Sequence, residues 1–188
     1  MTGHPIRLVV AGGLDRRRST VLVRPILLVP LLIWWYVWGI VAGLATIVSW
    51  IATLVRGETP RSLHDFIAAY VRFQAHVYAY GSFTAEPYPG FFGEPGYPVD
   101  LEIDPPARQN RWVTAFRWIL AIPAGIVAGI LTYLLGALAV FGWIVCLVTG
   151  RLPAGMRGLN AFIIRFVSQA YAYSSFLTAR YPSFGTEA

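Results

Sequence analysis

Long apolar runs alternate along the chain with shorter segments in which polar groups recur at regular spacing. Residues 25–55, between Arg24 and Arg56, carry no charge, and neither do residues 118–150, between Arg117 and Arg151. A helix crosses a bilayer with about 20 apolar residues, and two crossings with a turn take roughly 40. Each run is therefore expected to form one long, kinked transmembrane helix, with a short re-entrant hairpin as the alternative. Trp118 and Trp143 are about 37 Å apart along a helix, the separation of two interfacial aromatic belts. Pro30 and Pro123 fall inside the runs, where each removes a backbone hydrogen bond and bends the helix. Trp34, Trp35 and Trp38 speak for the hairpin, because a single span would hold them near mid-bilayer. Arginine flanks both ends of both runs, so charge sets no orientation.

A Gly-x-x-Pro break follows each run, at Gly57 and Pro60 and again at Gly150 and Pro153. Beyond it the apolar spacing becomes that of an amphipathic helix, over about 62–84 and about 156–179. In the first, Phe66, Tyr70, Phe73, Val77 and Tyr80 form an apolar stripe, while Asp65, Arg72 and His76 share the opposite face. Its apolar residues favour insertion by about 2.7 kcal/mol, and a central arginine opposes it by about 3. Such a helix lies in the interface or crosses only beside a partner. Each long run is also preceded by a short alternating strand, with Ile6, Leu8 and Val10 on one face, then Val99, Leu101 and Ile103.

The recurrence is a duplication. Shifting the chain by 93 residues aligns 26 identical pairs over 88 positions, without gaps. Arg24, Ile26, Leu27, Pro30 and Ile33 recur as Arg117, Ile119, Leu120, Pro123 and Ile126. The run Tyr78-Ala79-Tyr80-x-Ser82-Phe83 recurs as Tyr171-Ala172-Tyr173-x-Ser175-Phe176. The units are 4–91 and 97–184. The fold class is mostly α and integral to a membrane: a tandem pseudo-symmetric repeat of strand, long helix and amphipathic helix. Arg7 in the first strand and Asp100, Glu102 and Asp104 in the second lie on the outward face, so the strands are expected to pair across the pseudo-symmetry axis.

Composition agrees. Of 188 residues, 56% are hydrophobic and 13% charged, about half the charge of a soluble domain. The first run is far longer than the apolar core of a secretory signal, so no cleavage is expected there. Cys146 is the single cysteine, has no internal partner and reads as packing. All 15 basic residues are arginine, giving a net charge of +6. They are spread through apolar context, which suits anionic lipid headgroups and not nucleic acid.

Candidate chemistry is sparse. Arg72 and Arg165 are equivalent ionisable groups inside apolar helices, the kind of position that marks a functional site; headgroup snorkelling is the plain alternative. With Arg24 and Arg117 they are the candidate contacts for anionic lipid or substrate. Asp65, Arg72 and His76 suggest a polar relay in which only Arg72 and His76 touch. His64 and His76 point 120° apart around a helix and cannot share a metal. The pentapeptide Gly-Ile-Val-Ala-Gly occurs twice, and Gly39, Gly43, Gly125, Gly129 and Gly136 form candidate helix-packing faces. Neither a cofactor nor enzymatic activity is expected.

Tyr97-Pro98-Val99-x-Leu101-x-Ile103, Arg117-x-Ile119-Leu120-Ala121-Ile122-Pro123, Thr149-Gly150-Arg151-x-Pro153 and the closing Tyr181-Pro182-x-Phe184 resemble the bacterial membrane family called domain of unknown function 4389. The resemblance covers nearly the whole chain as two copies; the first departs at Leu28-Val29-Pro30 and Gly57-Glu58-Thr59-Pro60. It implies a membrane protein and supplies no activity. The expectation is a multi-pass protein of the cell membrane, acting as a non-enzymatic accessory or organising subunit. It would bind membrane lipids and a membrane-protein partner or a second copy. The alternative is a small transporter or channel with a site between the repeats, near Arg72 and Arg165.

Overall fold

Each charge-free run forms one unbroken helix, which excludes the hairpin alternative. The computed structural model describes residues 4–185. The elements are β1 (Ile6–Val10), α1 (Arg18–Arg56), α2 (Arg61–Gly81), β2 (Val99–Ile103), α3 (Arg111–Thr149) and α4 (Ala154–Ser174). Every element of the second half starts and ends 93 residues after its counterpart. At 39 residues, α1 and α3 are each about 58 Å long. Both start about two turns before their charge-free runs, and the Asn110 side chain caps α3 by accepting from Trp112 N. Both end at a left-handed glycine, Gly57 or Gly150, whose N–H reaches back to Thr53 or Cys146. The amphipathic helices stop short of Phe83 and Phe176, which take positive φ and turn the chain out of the helix.

The repeats are related by a two-fold axis. In the antiparallel ladder β1–β2, Leu8 pairs with Leu101, its own equivalent, while Arg7 pairs with Glu102 and Val9 with Asp100. A ladder centred on equivalent residues is what a two-fold through that pair produces. The long helices repeat the exchange. Trp50 donates its indole N–H to Thr114 O at 3.2 Å, and Trp143 donates to Val21 O at 3.0 Å. Likewise Gln109 N donates to Gly57 O and Arg16 N to Gly150 O, both at 2.8 Å. The start of each long helix thus meets the end of the other, so α1 and α3 run antiparallel.

Along the axis the molecule has three levels. The two-stranded sheet lies on α2 and α4, with β2 against α2 and β1 against α4, so each strand covers the other repeat's helix. α2 and α4 pack together and fill the centre: Ile67, Val71 and Phe73 meet Ile163, Ile164 and Phe166 in one core. α1 and α3 close the far side, where only one stripe of each is buried; in α1 it runs through Val21, Leu31, Trp38, Ala42 and Thr53. The rest of both helices shows Ile, Leu and Val outward, and both are long and apolar enough to cross a membrane. Trp34, Trp35 and Trp38 turn inward. Trp38 packs on Phe73 and Tyr70, Trp35 on Tyr78, and Trp34 donates to Phe91 O at 2.7 Å.

After α2 the chain folds back as a strap that crosses the helix at Gly93. Gly93 has φ +64°, and a Cβ there would overlap the carbonyl oxygen of Ala69. Gly93→Ala therefore forces the strap off α2. It is expected to cost about 2–3 kcal/mol, read as a lowered midpoint of thermal unfolding in detergent.

Candidate functional site: arginines in two environments

Arg24 and Arg117, expected to contact anionic lipid or substrate, point into the protein instead. Both are fully buried, and each reaches from a long helix to the turn that ends its repeat's second helix. Arg24 Nη1 donates to Tyr80 O at 2.9 Å and Ala85 O at 3.1 Å, and Nη2 donates to Glu86 O at 3.2 Å. Its guanidinium lies over the rings of Tyr80 and Phe83 and meets the Glu86 carboxylate at 3.4 Å. Arg117 repeats the posture over Tyr173 and Phe176 but makes one hydrogen bond, to Thr178 O at 3.1 Å. Ala179 stands where Glu86 stands in the first copy, so Arg117 has no carboxylate, and its Nε and Nη2 are buried without a partner.

A third arginine joins the first pin. Arg16 is buried and donates to the carbonyls of Gly13, Asp15, Phe83 and Thr84, with the Glu86 carboxylate 3.5 Å away. Its counterpart Gln109 keeps one of these bonds, to Phe176 O at 2.8 Å. Sequence reasoning passed over Arg16 as part of a basic flank, although its alignment with Gln109, in place of another arginine, distinguishes it from Arg18. Beside Arg24 the α1–α3 contact leaves a cavity of about 270 Å³ lined by Pro25, Leu28, Phe83 and Trp143. In the second copy Trp118 replaces Pro25 and stacks on Trp50 with ring centres 4.8 Å apart.

Arg72 and Arg165 lie on the opposite side of the molecule, each against the strand of the other repeat. Arg72 Nε meets Asp100 Oδ1 at 3.3 Å and donates to Leu101 O, while Nη1 donates to Gly93 O. His76 Nε2 lies 3.1 Å from the same Asp100 oxygen, with Tyr97 packed on its ring. The relay expected of Asp65, Arg72 and His76 is thus built with Asp100. Asp65 sits about two turns from Arg72, beside His64. Asp100 also leaves the group of acids expected opposite Arg7, which pairs with Glu102 at 3.2 Å and Asp104 at 3.3 Å. β2 carries Asp100 alongside α2, within reach of the partly buried Arg72. In the second copy Arg7 stands at the equivalent of Asp100 and Gln169 at that of His76. Among the described residues no carboxylate pairs with Arg165; its Nε and Nη2 are buried without a partner there, and the guanidinium lies over Phe162. It lines a cavity of about 220 Å³ with His4, Arg7, Gln169 and Ser183, to which α2 contributes nothing.

Of the five glycines, Gly39 alone is needed for close packing: a Cβ there would fall 2.8 Å from the Tyr70 hydroxyl. Gly43, Gly125, Gly129 and Gly136 border open space, so they do not draw the helices of one chain together. Cys146 is buried and packs with Val21, Phe83 and Leu152. Among the described residues no cluster of His, Cys, Asp or Glu is placed to hold a metal ion.

The two pins differ in energetic weight. Arg24→Met removes the donor to the Ala85 and Glu86 carbonyls and one of two donors to Tyr80 O, and is expected to cost about 3 kcal/mol. Arg117→Met removes one hydrogen bond together with two unpaired buried donors, and should stay within about 1 kcal/mol of the parent. Thermal unfolding of the two variants in the same detergent gives the comparison. His76 adds a pH dependence. Burial holds its pKa below 6.5, against the opposing pull of Asp100. Below that pH the unfolded chain takes up a proton that the folded chain refuses, so stability falls as pH falls. His76→Gln, which copies Gln169, should flatten this slope in unfolding midpoints measured across the range.

Neither a curated protein nor a solved structure matches the chain. A family model does match, twice, at residues 18–93 and 111–186. Each match opens at the first residue of a long helix and extends through the amphipathic helix and its tail, leaving the strands β1 and β2 outside. The chain belongs to the family described as domain of unknown function DUF4389, of which it carries two tandem copies.

Proposed function

We propose that this chain is a membrane-embedded, non-enzymatic organising subunit, which holds anionic lipid at its arginine-rich helix ends and presents an apolar wall to neighbouring membrane helices. The observation that carries this reading is the outer face of α1 and α3. Ile26, Ile33, Ile40, Ile119, Ile126 and Ile130 are all more than half exposed, and that face continues along both helices. A monomer in water rarely leaves an apolar patch of such extent uncovered. Gly125 and Gly129, open on this layer, offer a neighbouring helix close approach. Arg56, Arg61 and Arg111 stand exposed at one end of the layer, and Arg17, Arg18 and Arg151 at the other, where lipid phosphates would meet them.

This reading is favoured over a transporter with a site between the repeats. Arg72 is held by Asp100 and two carbonyls, and the cavity beside Arg165 contains nothing of α2. A shared anion site would need both arginines in one space.

The test is a pair of equivalent substitutions on the outer face, Ile33→Asp and Ile126→Asp. Each is expected to oppose insertion by about 3 kcal/mol. The parent chain should stay with the membrane through an alkaline carbonate wash and float with vesicles containing phosphatidylglycerol, more than with phosphatidylcholine alone. The double variant should be extracted and stay at the bottom of the gradient. A parent chain that is itself released by carbonate overturns the reading.

A further inference from the structure

Accepting the membrane-embedded reading, the two-fold axis restricts how the chain can sit. The axis runs from the Leu8–Leu101 pair through α2 and α4 to the middle of α1 and α3, perpendicular to the antiparallel helices. If α1 and α3 stood upright across a bilayer, the axis would lie at the midplane and the sheet would face the hydrocarbon there. Arg7, Glu102 and Asp104, with side chains about half exposed, would enter the most apolar zone, together with both free strand edges. Hydrocarbon tolerates neither isolated charges nor unpaired backbone groups.

We propose instead that α1 and α3 lie along the membrane, immersed in a single leaflet whose anionic headgroups surround the helix ends, with the axis along the membrane normal and the sheet in water. Three observations agree. The layer is one helix thick, about 10–12 Å with side chains, and fits within the roughly 15 Å of hydrocarbon in one leaflet. Arginines occur at both ends of the layer: Arg18 donates to Val148 O at one end, and Arg111 approaches Gly57 at the other. Lying flat, these ends share one headgroup level, where arginine pairs with phosphate. Charge, finally, is divided between the faces, with ion pairs on the sheet side and none on the long-helix face between its ends.

The two arrangements place the ends of α1 differently. A flat helix has both ends on one side of the membrane; an upright one has them on opposite sides. In a Cys146→Ser background, single cysteines at Ser19, at Glu58 and at Val9 on the sheet are expressed in intact cells and treated with a membrane-impermeant maleimide, before and after lysis. The inference expects all three sites to react together, either all from outside or all only after lysis, with a Ser19 to Glu58 labelling ratio of about one. Reaction of Ser19 and Glu58 from opposite sides overturns the flat arrangement while leaving the membrane-embedded reading intact. Recovery of the chain in the soluble fraction overturns both. Trypsin added to sealed vesicles of the unmodified chain gives a check without substitutions: the flat arrangement exposes Arg17 and Arg61 together, and cleavage at one but not the other counts against it.

Discussion

The fold depends on an exchange across the two-fold axis. Neither repeat supplies the strand that covers its own amphipathic helix: β1 lies on α4, and β2 lies on α2. A two-stranded sheet alone is marginal in water. Here the floor beneath it is made by both repeats, and each strand brings apolar residues to it: Ile6 in β1, Val99 and Leu101 in β2. Sheet, central helices and long helices are therefore assembled together or not at all. The same constraint explains why α2 and α4 tolerate so much polarity. Gln74, His76, Asn160 and Gln169 are buried between two covers, where each finds a protein partner: Gln74 bonds Tyr78, His76 bonds Asp100, Asn160 bonds Ser82 O and Gln169 bonds Ile6 O.

Within this symmetric frame the copies have divided their electrostatics unequally. The first keeps carboxylates beside its buried arginines, Glu86 with Arg16 and Arg24, and Asp100 with Arg72. The second has Ala179 and Arg7 at the corresponding places and leaves Arg117 and Arg165 with unpaired donors. Aromatic faces at Tyr173, Phe176 and Phe162 take up part of the charge. The backbone is the same in both halves, down to the positive φ of Phe83 and Phe176. What differs is how firmly each tail is tied down.

Much of the architecture was legible in the sequence because it rests on local signals. Charge-free runs, Gly-x-x-Pro breaks and alternation in residues 6–10 and 99–103 each mark an element by its own residues, and the 93-residue period then doubles every inference. What escaped reading was long-range. Arg24 and Arg117 look like membrane-facing flanks in a linear view, and the carbonyls that draw them inward come from a turn about 60 residues later. Asp100 belongs by alternation with Glu102 and Asp104, yet α2 claims it through Arg72 and His76. Gly43, Gly125, Gly129 and Gly136 fit a helix-packing pattern, yet nothing among the described residues approaches within 4 Å of a Cβ placed there. The helix ends were displaced because Phe83 and Phe176 sit left-handed, a backbone state that side-chain periodicity does not encode.

The central pair of the ladder carries a consequence for how such an assembly arises. Leu8 faces its own equivalent, so a protein with only one unit could complete the same ladder by meeting a second molecule about a two-fold axis, residue 8 against residue 8. Such a dimer would come apart on dilution. Joining the units through residues 82–98 converts that encounter into an event within one chain, at the effective concentration a short tether provides. Assembly then no longer depends on how many copies are present, and each half is free to acquire substitutions, such as Asp100 against Arg7, that a pair of identical chains could not make separately.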